Sequence, residues 1–257
     1  MKKRAVISLS GGMDSTSVLL HLLANGYEVK AYSFWYNQKH QIELQRVREN
    51  INRLMEKFPN QLLEYDVLDV EQMFKGSKSA LTSNTVVPEG HYAEDNQKIT
   101  VVPGRNSLFM VGIYIRALIW SYENNSEIVI SMGAHLGDFA QYKDCSLIFF
   151  DKMNAALQEG NDGSELISSY SPYLNGGKLE ILQDAVLNCE ILGVDFDTIF
   201  KSTNTCYSPD ENGKSCGRCG SCIERSEAFI NIGKKDPVEY VLPWEQIVEH
   251  TTEVLAV

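Results

Sequence analysis

Two clusters in this chain have residue types and spacings that could do chemistry. The first is SLSGGMDST at residues 8–16, directly behind the apolar run AVI. Gly11 and Gly12 allow the backbone to approach a ligand closely and to adopt positive φ. Their N–H groups, with those of a helix starting here, can cradle phosphate oxygens. Ser8, Ser10, Ser15 and Thr16 add hydroxyl donors around Met13. Asp14 is an odd neighbour for an anion unless it caps the helix or meets a bound cation, and Mg²⁺ on the phosphates would be such a cation. The loop lacks the lysine of G-x-x-x-x-G-K-[ST] and does not read G-x-G-x-x-G. It suits a pyrophosphate that departs. The bland alternative is a tight strand-to-helix turn with a serine cap.

The second cluster is TCYSPDENGKSCGRCGSC, with Cys206, Cys216, Cys219 and Cys222 spaced C-x₉-C-x₂-C-x₂-C. Two overlapping C-x₂-C turns orient three thiolates and a longer loop returns the fourth. Four sulfur ligands with no open position suit a structural, tetrahedral Zn²⁺. An iron–sulfur cluster also takes four thiolates, and disulfides are a third option that a reducing compartment disfavours. Cys145 and Cys189 stand apart and read as reduced, buried thiols.

Alternating strands and helices must position these clusters. Residues 4–10 read as a buried strand, and 15–26 as a helix closed by Gly26. Residues 28–34 form a second strand, 41–58 a helix with apolar spacing, and 62–69 a third strand. Residues 70–103, polar and broken by Gly76, Pro88, Gly90 and Pro103, read as an insertion or mobile loop. Helix 106–123, strand 127–134 and helices 146–158 and 178–192 follow. This alternation implies a doubly wound parallel α/β sheet covered on both faces. The glycine loop then sits at the carboxyl end of the first strand, where such sheets bind ligands. We expect an α/β domain over 1–200 and a small cysteine-bearing C-terminal module over 201–257.

Composition narrows the function classes. The 257 residues are 44% hydrophobic and 22% charged, with net charge −11, so duplex nucleic acid is a poor default partner. The apolar stretch behind MKKR is too short for a signal-peptide core. The longest greasy run, LFMVGIYIRALIW at 108–120, is too short to span a bilayer and is interrupted by Arg116. A cytoplasmic protein is expected.

The S-G-G-x-D-S loop resembles that of the ATP pyrophosphatases (PP-loop proteins). Together with the cysteine spacing, it makes residues 4–230 resemble the 7-cyano-7-deazaguanine synthase family. The segment YNQKHQIE, with Tyr36, Gln38, His40 and Glu43, matches the family's Y-x-Q-x-H-x-x-E. VPGRN, with Arg105 and Asn106, matches its P-x-R-N. GAHLGDFAQYKDC matches its Gly-rich strand end, with Gly133, Asp138, Tyr142, Asp144 and Cys145. GKLEI, with Lys178 and Glu180, matches its K-x-E-I helix start. The chain departs from the family pattern at Asn37, where glycine is usual, and at Gln141–Ser146, where Gly-Tyr-Pro-Asp-Cys-Arg is usual. The tryptophan before the first cysteine is also replaced, by Asn204 and Thr205.

The resemblance implies a Rossmann-like fold of the adenine nucleotide alpha hydrolase type with a small C-terminal zinc module. It implies an ATP-dependent carbon–nitrogen ligase that adenylates 7-carboxy-7-deazaguanine, takes up ammonia and yields the 7-cyano product. In that scheme Asp14, Arg105 and Lys178 are catalytic and residues 8 and 10–16 bind ATP with Mg²⁺. Tyr36, Gln38, His40, Arg105, Asn106, Gly133, Asp138, Tyr142 and Asp144 bind the substrate. Asn106 is expected to cap its helix. Either Arg105 or Lys143 is expected to replace the charge missing at Ser146. A homodimer is expected. Three alternatives stay open: transfer of the activated carboxylate to a protein or another amine, as in an antiviral pathway; a non-catalytic nucleotide-binding zinc scaffold; and tRNA thiolation, against which the net charge counts.

Overall fold

The computed structural model describes residues 2–135 and 142–256. Strands β1 (Arg4–Ser8), β2 (Glu28–Trp35), β3 (Leu62–Asp69), β4 (Ile128–Met132) and β5 (Ile167–Ser169) form one sheet in the order β3-β2-β1-β4-β5. Every pairing is parallel, with Val6 opposite Lys30 on one side and Ile130 on the other. The sheet is Rossmann-like and doubly wound, as the alternation predicts. Successive β1 side chains point to opposite faces. Val6 joins one core layer, while Ala5 and Ile7 join the other. The chain builds outward from β1 to β3, then crosses to β4 and β5. The crevice at that reversal, beyond the carboxyl ends of β1 and β4, is the usual ligand position of such a sheet.

Helices α1 (Met13–Ala24), α2 (Ile42–Lys57), α3 (Arg105–Asn124), α4 (Leu147–Glu159) and α5 (Lys178–Leu192) cover the two faces. Their bounds match the periodicity closely except at one place. β1 stops at Ser8 and α1 starts at Met13, because Gly12 rather than a serine is its N-cap. Gly26 does close α1: at φ +77 its N–H reaches Leu23 O while Tyr27 N–H reaches Leu22 O. Asn106 caps nothing. α3 begins behind Gly104, and Asn106 lies inside its first turn.

Sequence reading missed β5, α6 (Phe196–Lys201), α7 (Gly220–Asn231) and α8 (Trp244–Leu255). β5 is three residues at a sheet edge, too short to show a period. α7 is hidden by the Gly-Ser-Cys composition of its first turn.

Residues 70–103 carry two short 3₁₀ turns, Glu71–Phe74 and Asp95–Thr100. Ala80 and Leu81 are fully buried, and Gly90 N–H donates to Arg218 O beside the cysteine cluster. The residues after 201 have their apolar side chains in the two layers already formed: Val238, Tyr240 and Ile247 in one, Ala228 and Phe229 in the other. A buried ion pair fastens this part. Arg225 grips Asp236 with Nε–Oδ2 at 2.6 Å and Nη2–Oδ1 at 2.9 Å, and its Nη1 donates to Thr203 and Thr205 hydroxyls.

Candidate active site

The glycine loop is a hydroxyl-locked turn. Ser15 Oγ accepts from Ser10 N (3.2 Å) and Gly11 N (3.3 Å) and lies 3.0 Å from Ser10 Oγ. Gly11 has φ +90, and a Cβ there would lie 2.3 Å from Val47 Cγ2 on α2, so only glycine fits. On the other side, a Cβ at Gly133 would lie 2.6 Å from Ser15 N. Glycine at the end of β4 therefore lets that strand approach the start of α1. The first-turn N–H groups of a helix have no intrahelical partner, and Gly12, Asp14 and Ser15 at the start of α1 line the crevice, a setting that suits an anion.

At this end Asp14 and Lys178 meet, although 164 residues separate them. Lys178 Nζ donates to Asp14 Oδ2 at 2.9 Å and pairs with Glu224 Oε2 at 3.1 Å, and it lies 3.1 Å from His135 Nε2. Burial opposes the charge on Asp14, but Lys178 and His135 hold its carboxyl below the usual carboxylate range. Asp14 Oδ1 is buried without a hydrogen-bond partner among the described residues. A hard cation carried by a polyphosphate would suit that oxygen. Glu224, on α7, and His135 were not singled out in the sequence. Glu224 sits in no quoted motif, His135 lies unmarked inside the GAHLGDFAQYKDC segment, and only the folded chain brings them to Lys178.

The other end of the same crevice is aromatic and carries Arg105. Its half-buried guanidinium faces the rings of Tyr36, Tyr142 and Tyr207, lies 5.7 Å over the Tyr142 ring, and donates from Nε to Asn106 Oδ1 at 3.2 Å. Burial opposes the charge, and the neighbouring tyrosines and Cys145 more than restore it. Among the described residues no carboxylate forms an ion pair with Arg105. A cation set in a crevice without a carboxylate partner among the described residues suits an anionic ligand. Phe34 and Phe109 stack at 4.1 Å as an apolar wall. Asn106 Nδ2 donates to Cys145 Sγ at 3.3 Å. His40 and Glu43 complete the lining. Burial pushes His40 down to about 3, with Arg105 adding to the shift, and pushes Glu43 up to about 8.

Of the residues expected to act, Ser8, Ser10, Gly12, Asp14, Ser15, Tyr36, His40, Arg105, Asn106, Gly133, Tyr142 and Lys178 line this one crevice. Met13 and Thr16 point into the core, and Gly11 packs behind the loop. Gln38 is fully buried behind Glu43, and Asp144 lies off the crevice wall. Asp138 and Gln141 lie outside the described residues. Lys143 is exposed, away from the crevice. The departures from the family pattern have local reasons. Asn37 sits at φ +61, a left-handed position that asparagine tolerates best after glycine. Ser146 caps α4, its Oγ accepting from Phe149 N at 3.1 Å.

The sulfurs of Cys206, Cys216, Cys219 and Cys222 all lie within 4.8 Å of one another. A single tetrahedral ion with Zn–S bonds of roughly 2.3 Å sets its sulfurs roughly 3.8 Å apart, so the spacing fits one metal ion and is too tight for a multi-iron cluster. None of the six cysteines is in a disulfide. Backbone N–H groups of Ser208 and Cys216 donate to Cys206 Sγ, and those of Arg218 and Cys219 to Cys216 Sγ. α7 starts on this cluster and carries Ser221 and Glu224 into the crevice.

A parallel sheet in this order, with S-G-G-x-D-S at the carboxyl end of its central strand, defines a PP-loop protein of the ATP-pyrophosphatase type. Within that class, the family model described as queuosine biosynthesis protein QueC matches residues 4–233, and the chain belongs to that family. It is 38% identical over 242 residues to the 7-cyano-7-deazaguanine synthase of Marinomonas sp. (strain MWYL1), covering 93% of this chain and 99% of that protein. It is 39% identical over 243 residues to the protein of the same name from Methanoregula boonei, covering 92% and 99% respectively.

Proposed function

We propose that this chain is an ATP-dependent carbon–nitrogen ligase that converts 7-carboxy-7-deazaguanine and ammonia to 7-cyano-7-deazaguanine. The observation that carries this reading is the two-ended crevice. The α1 N-terminus with Asp14 and Lys178 lies at one end, and the half-buried guanidinium of Arg105, with no carboxylate partner among the described residues, at the other. Family membership supports it, because the curated relatives share one name. That name favours nitrile formation over transfer to a protein or another amine, over tRNA thiolation, and over a non-catalytic scaffold.

A carboxylate is a poor electrophile until one of its oxygens becomes a leaving group. The substrate carboxylate attacks the α-phosphorus of ATP, an acyl adenylate forms and pyrophosphate leaves. Ammonia adds to the acyl carbon and AMP departs, giving the amide. The amide oxygen is activated by a second ATP, and loss of that oxygen with the phosphoryl group and of two N–H protons leaves the nitrile. The donors at the start of α1 and Lys178 Nζ are fixed in advance where charge grows on the departing pyrophosphate. Arg105 holds the substrate carboxylate. Mg²⁺, for which Asp14 Oδ1 is the fitting protein ligand, would neutralise phosphate charge when bound with ATP. A structural Zn²⁺ on the four cysteines would tie α7, and so Glu224, to the crevice. No helix among the described residues is long and apolar enough to cross a membrane. We place the enzyme in the cytoplasm as a homodimer.

Pyrophosphate release with ATP and 7-carboxy-7-deazaguanine, followed with and without ammonia, tests this. The nitrile should form only with ammonia present. Absence of substrate-stimulated pyrophosphate release would overturn the reading. A second expectation separates the two cations. Arg105→Gln should raise the dissociation constant of the deazaguanine carboxylate by about ten- to a hundredfold, the worth of a charge-assisted hydrogen bond. ATP affinity should stay near that of the unaltered protein. Lys143→Gln should change neither, because its side chain is exposed outside the crevice. Calorimetric titration of both variants checks this, and a reversed result would move the anion site to Lys143.

A further inference from the structure

We propose that Thr100, in the segment between β3 and α3, is a positioning residue for the carboxylate end of the crevice. It takes the hydroxyl proton of Tyr142 and so sets how that ring meets Arg105. The inference rests on the function proposed above. It brings the polar segment 70–103 into the working of that site.

Thr100 is itself held firmly. It is buried at the end of the 3₁₀ turn Asp95–Thr100. Its carbonyl accepts from Ser79 Oγ at 3.0 Å, and Ala80 N–H donates to Ile99 O at 2.8 Å beside it. The same turn is wedged against α7. A Cβ at Gly220, the first residue of that helix, would lie 2.8 Å from Gln97 Oε1. Thr100 does not line the crevice, so it can act there only through another side chain.

The direction of each hydrogen bond follows from counting protons. Thr100 Oγ1 donates to Gln97 O at 2.7 Å, and a carbonyl can only accept. The single hydroxyl proton of Thr100 is therefore spent. Tyr142 OH lies 2.7 Å from the same Oγ1 and must be the donor of that pair. With its own proton committed, the Tyr142 oxygen accepts from Tyr207 OH at 3.2 Å. Three hydroxyls thus point one way, from Tyr207 to Tyr142 to Thr100, and the chain ends on Gln97 O.

Tyr142 and Tyr207 line the crevice, whereas Thr100 and Gln97 lie behind it. The protons run outward, and neither tyrosine has one to offer a ligand. That suits the cation lying 5.7 Å over the Tyr142 ring. A hydroxyl proton turned toward the Arg105 guanidinium would repel it, whereas an oxygen lone pair attracts it. A substrate carboxylate then takes its hydrogen bonds from Arg105 and not from the tyrosines. Removing the Thr100 hydroxyl would untether the ring and release the Tyr142 proton to turn inward.

Titration of 7-carboxy-7-deazaguanine into the full chain and its variants tests the proposal, beside ATP affinity and melting curves. Thr100→Val keeps the side-chain shape and removes the hydroxyl. It should weaken binding of the carboxylate about two- to tenfold, the worth of one neutral hydrogen bond, and leave ATP affinity unchanged. Thr100→Ser should restore it. A double-mutant cycle separates positioning from a merely structural role. With Tyr142→Phe in place there is no proton for Thr100 to take, so adding Thr100→Val should weaken binding no further. A structural role would add its loss there in full. Should Thr100→Val fail to fold alone, Tyr142→Phe with and without Thr100→Val still carries the test, because removing both partners leaves no unmet donor. Unchanged binding by Thr100→Val, or an undiminished loss on top of Tyr142→Phe, would overturn the inference alone. No binding by the unaltered protein would overturn the function proposed above and this inference with it.

Discussion

Asp14→Ala is expected to lower AMP and pyrophosphate formation by at least about 10²–10³-fold, the loss seen when one preorganised electrostatic partner of a reacting group is removed. Asp14 is the carboxylate at the phosphate end of the crevice. Lys178 engages its Oδ2, while its Oδ1 is buried without a partner among the described residues. Lys178 and His135 keep it ionised despite burial, so it stays negative throughout the neutral range. The substitution should leave the fold intact for a specific reason. Lys178 also pairs with Glu224 at 3.1 Å, so no buried cation is stranded when Asp14 goes. Thermal unfolding should therefore change little while turnover collapses. Lys178→Met should impair turnover too, but it leaves Asp14 and Glu224 facing each other in a buried site and should cost stability as well. Rates of pyrophosphate release, read beside melting curves, separate the two. An Asp14→Ala enzyme that turns over at the normal rate would remove Asp14 from the chemistry.

Metal removal should have the largest effect on stability. Metal analysis is expected to find about one zinc per chain, as a closed four-thiolate site requires. Binding free energy at such sites is folding free energy, with apparent values of about 10–16 kcal/mol in small zinc-binding peptides. Here other contacts share the burden. Arg46 donates to Thr203 O and Gly213 O at 2.6 Å, and Asn50 to Ile199 O and Ser202 O at 2.9 Å, so α2 holds the same segment independently. Chelation or Cys219→Ser should therefore lower the melting temperature strongly without unfolding the sheet at once. Activity should fall in step, because α7 begins on the cysteines and delivers Glu224 to Lys178 and Arg225 to Asp236. Unchanged melting after metal removal, or iron in place of zinc, would refute the assignment.

Much of this was written in contiguous sequence. The glycine loop, the parallel α/β layout and the four cysteines were legible because each depends on short-range rules: positive φ at Gly11, a 3.6-residue period in α2, and C-x₂-C turns. Arg105 and Lys178 were legible because VPGRN and GKLEI match segments of the resembled family, and in the fold both residues open helices whose first turns line the crevice. Which partner each polar group takes was decided only by the tertiary structure. Glu224 and His135 lie far from Asp14 in sequence, and nothing in their neighbourhoods points to Lys178, yet they surround it. Gln38 shares a motif with His40 but turns inward to Glu43. Lys143 and Arg105 are both cations beside family motifs, and of the two Arg105 lines the crevice while Lys143 is exposed. Asn106, expected to cap α3, instead joins Arg105 to Cys145. The physical reason is common to all four cases. Local backbone conformation follows from neighbours along the chain, whereas desolvation and hydrogen-bond pairing follow from what packs across space, and a sequence period carries no record of that.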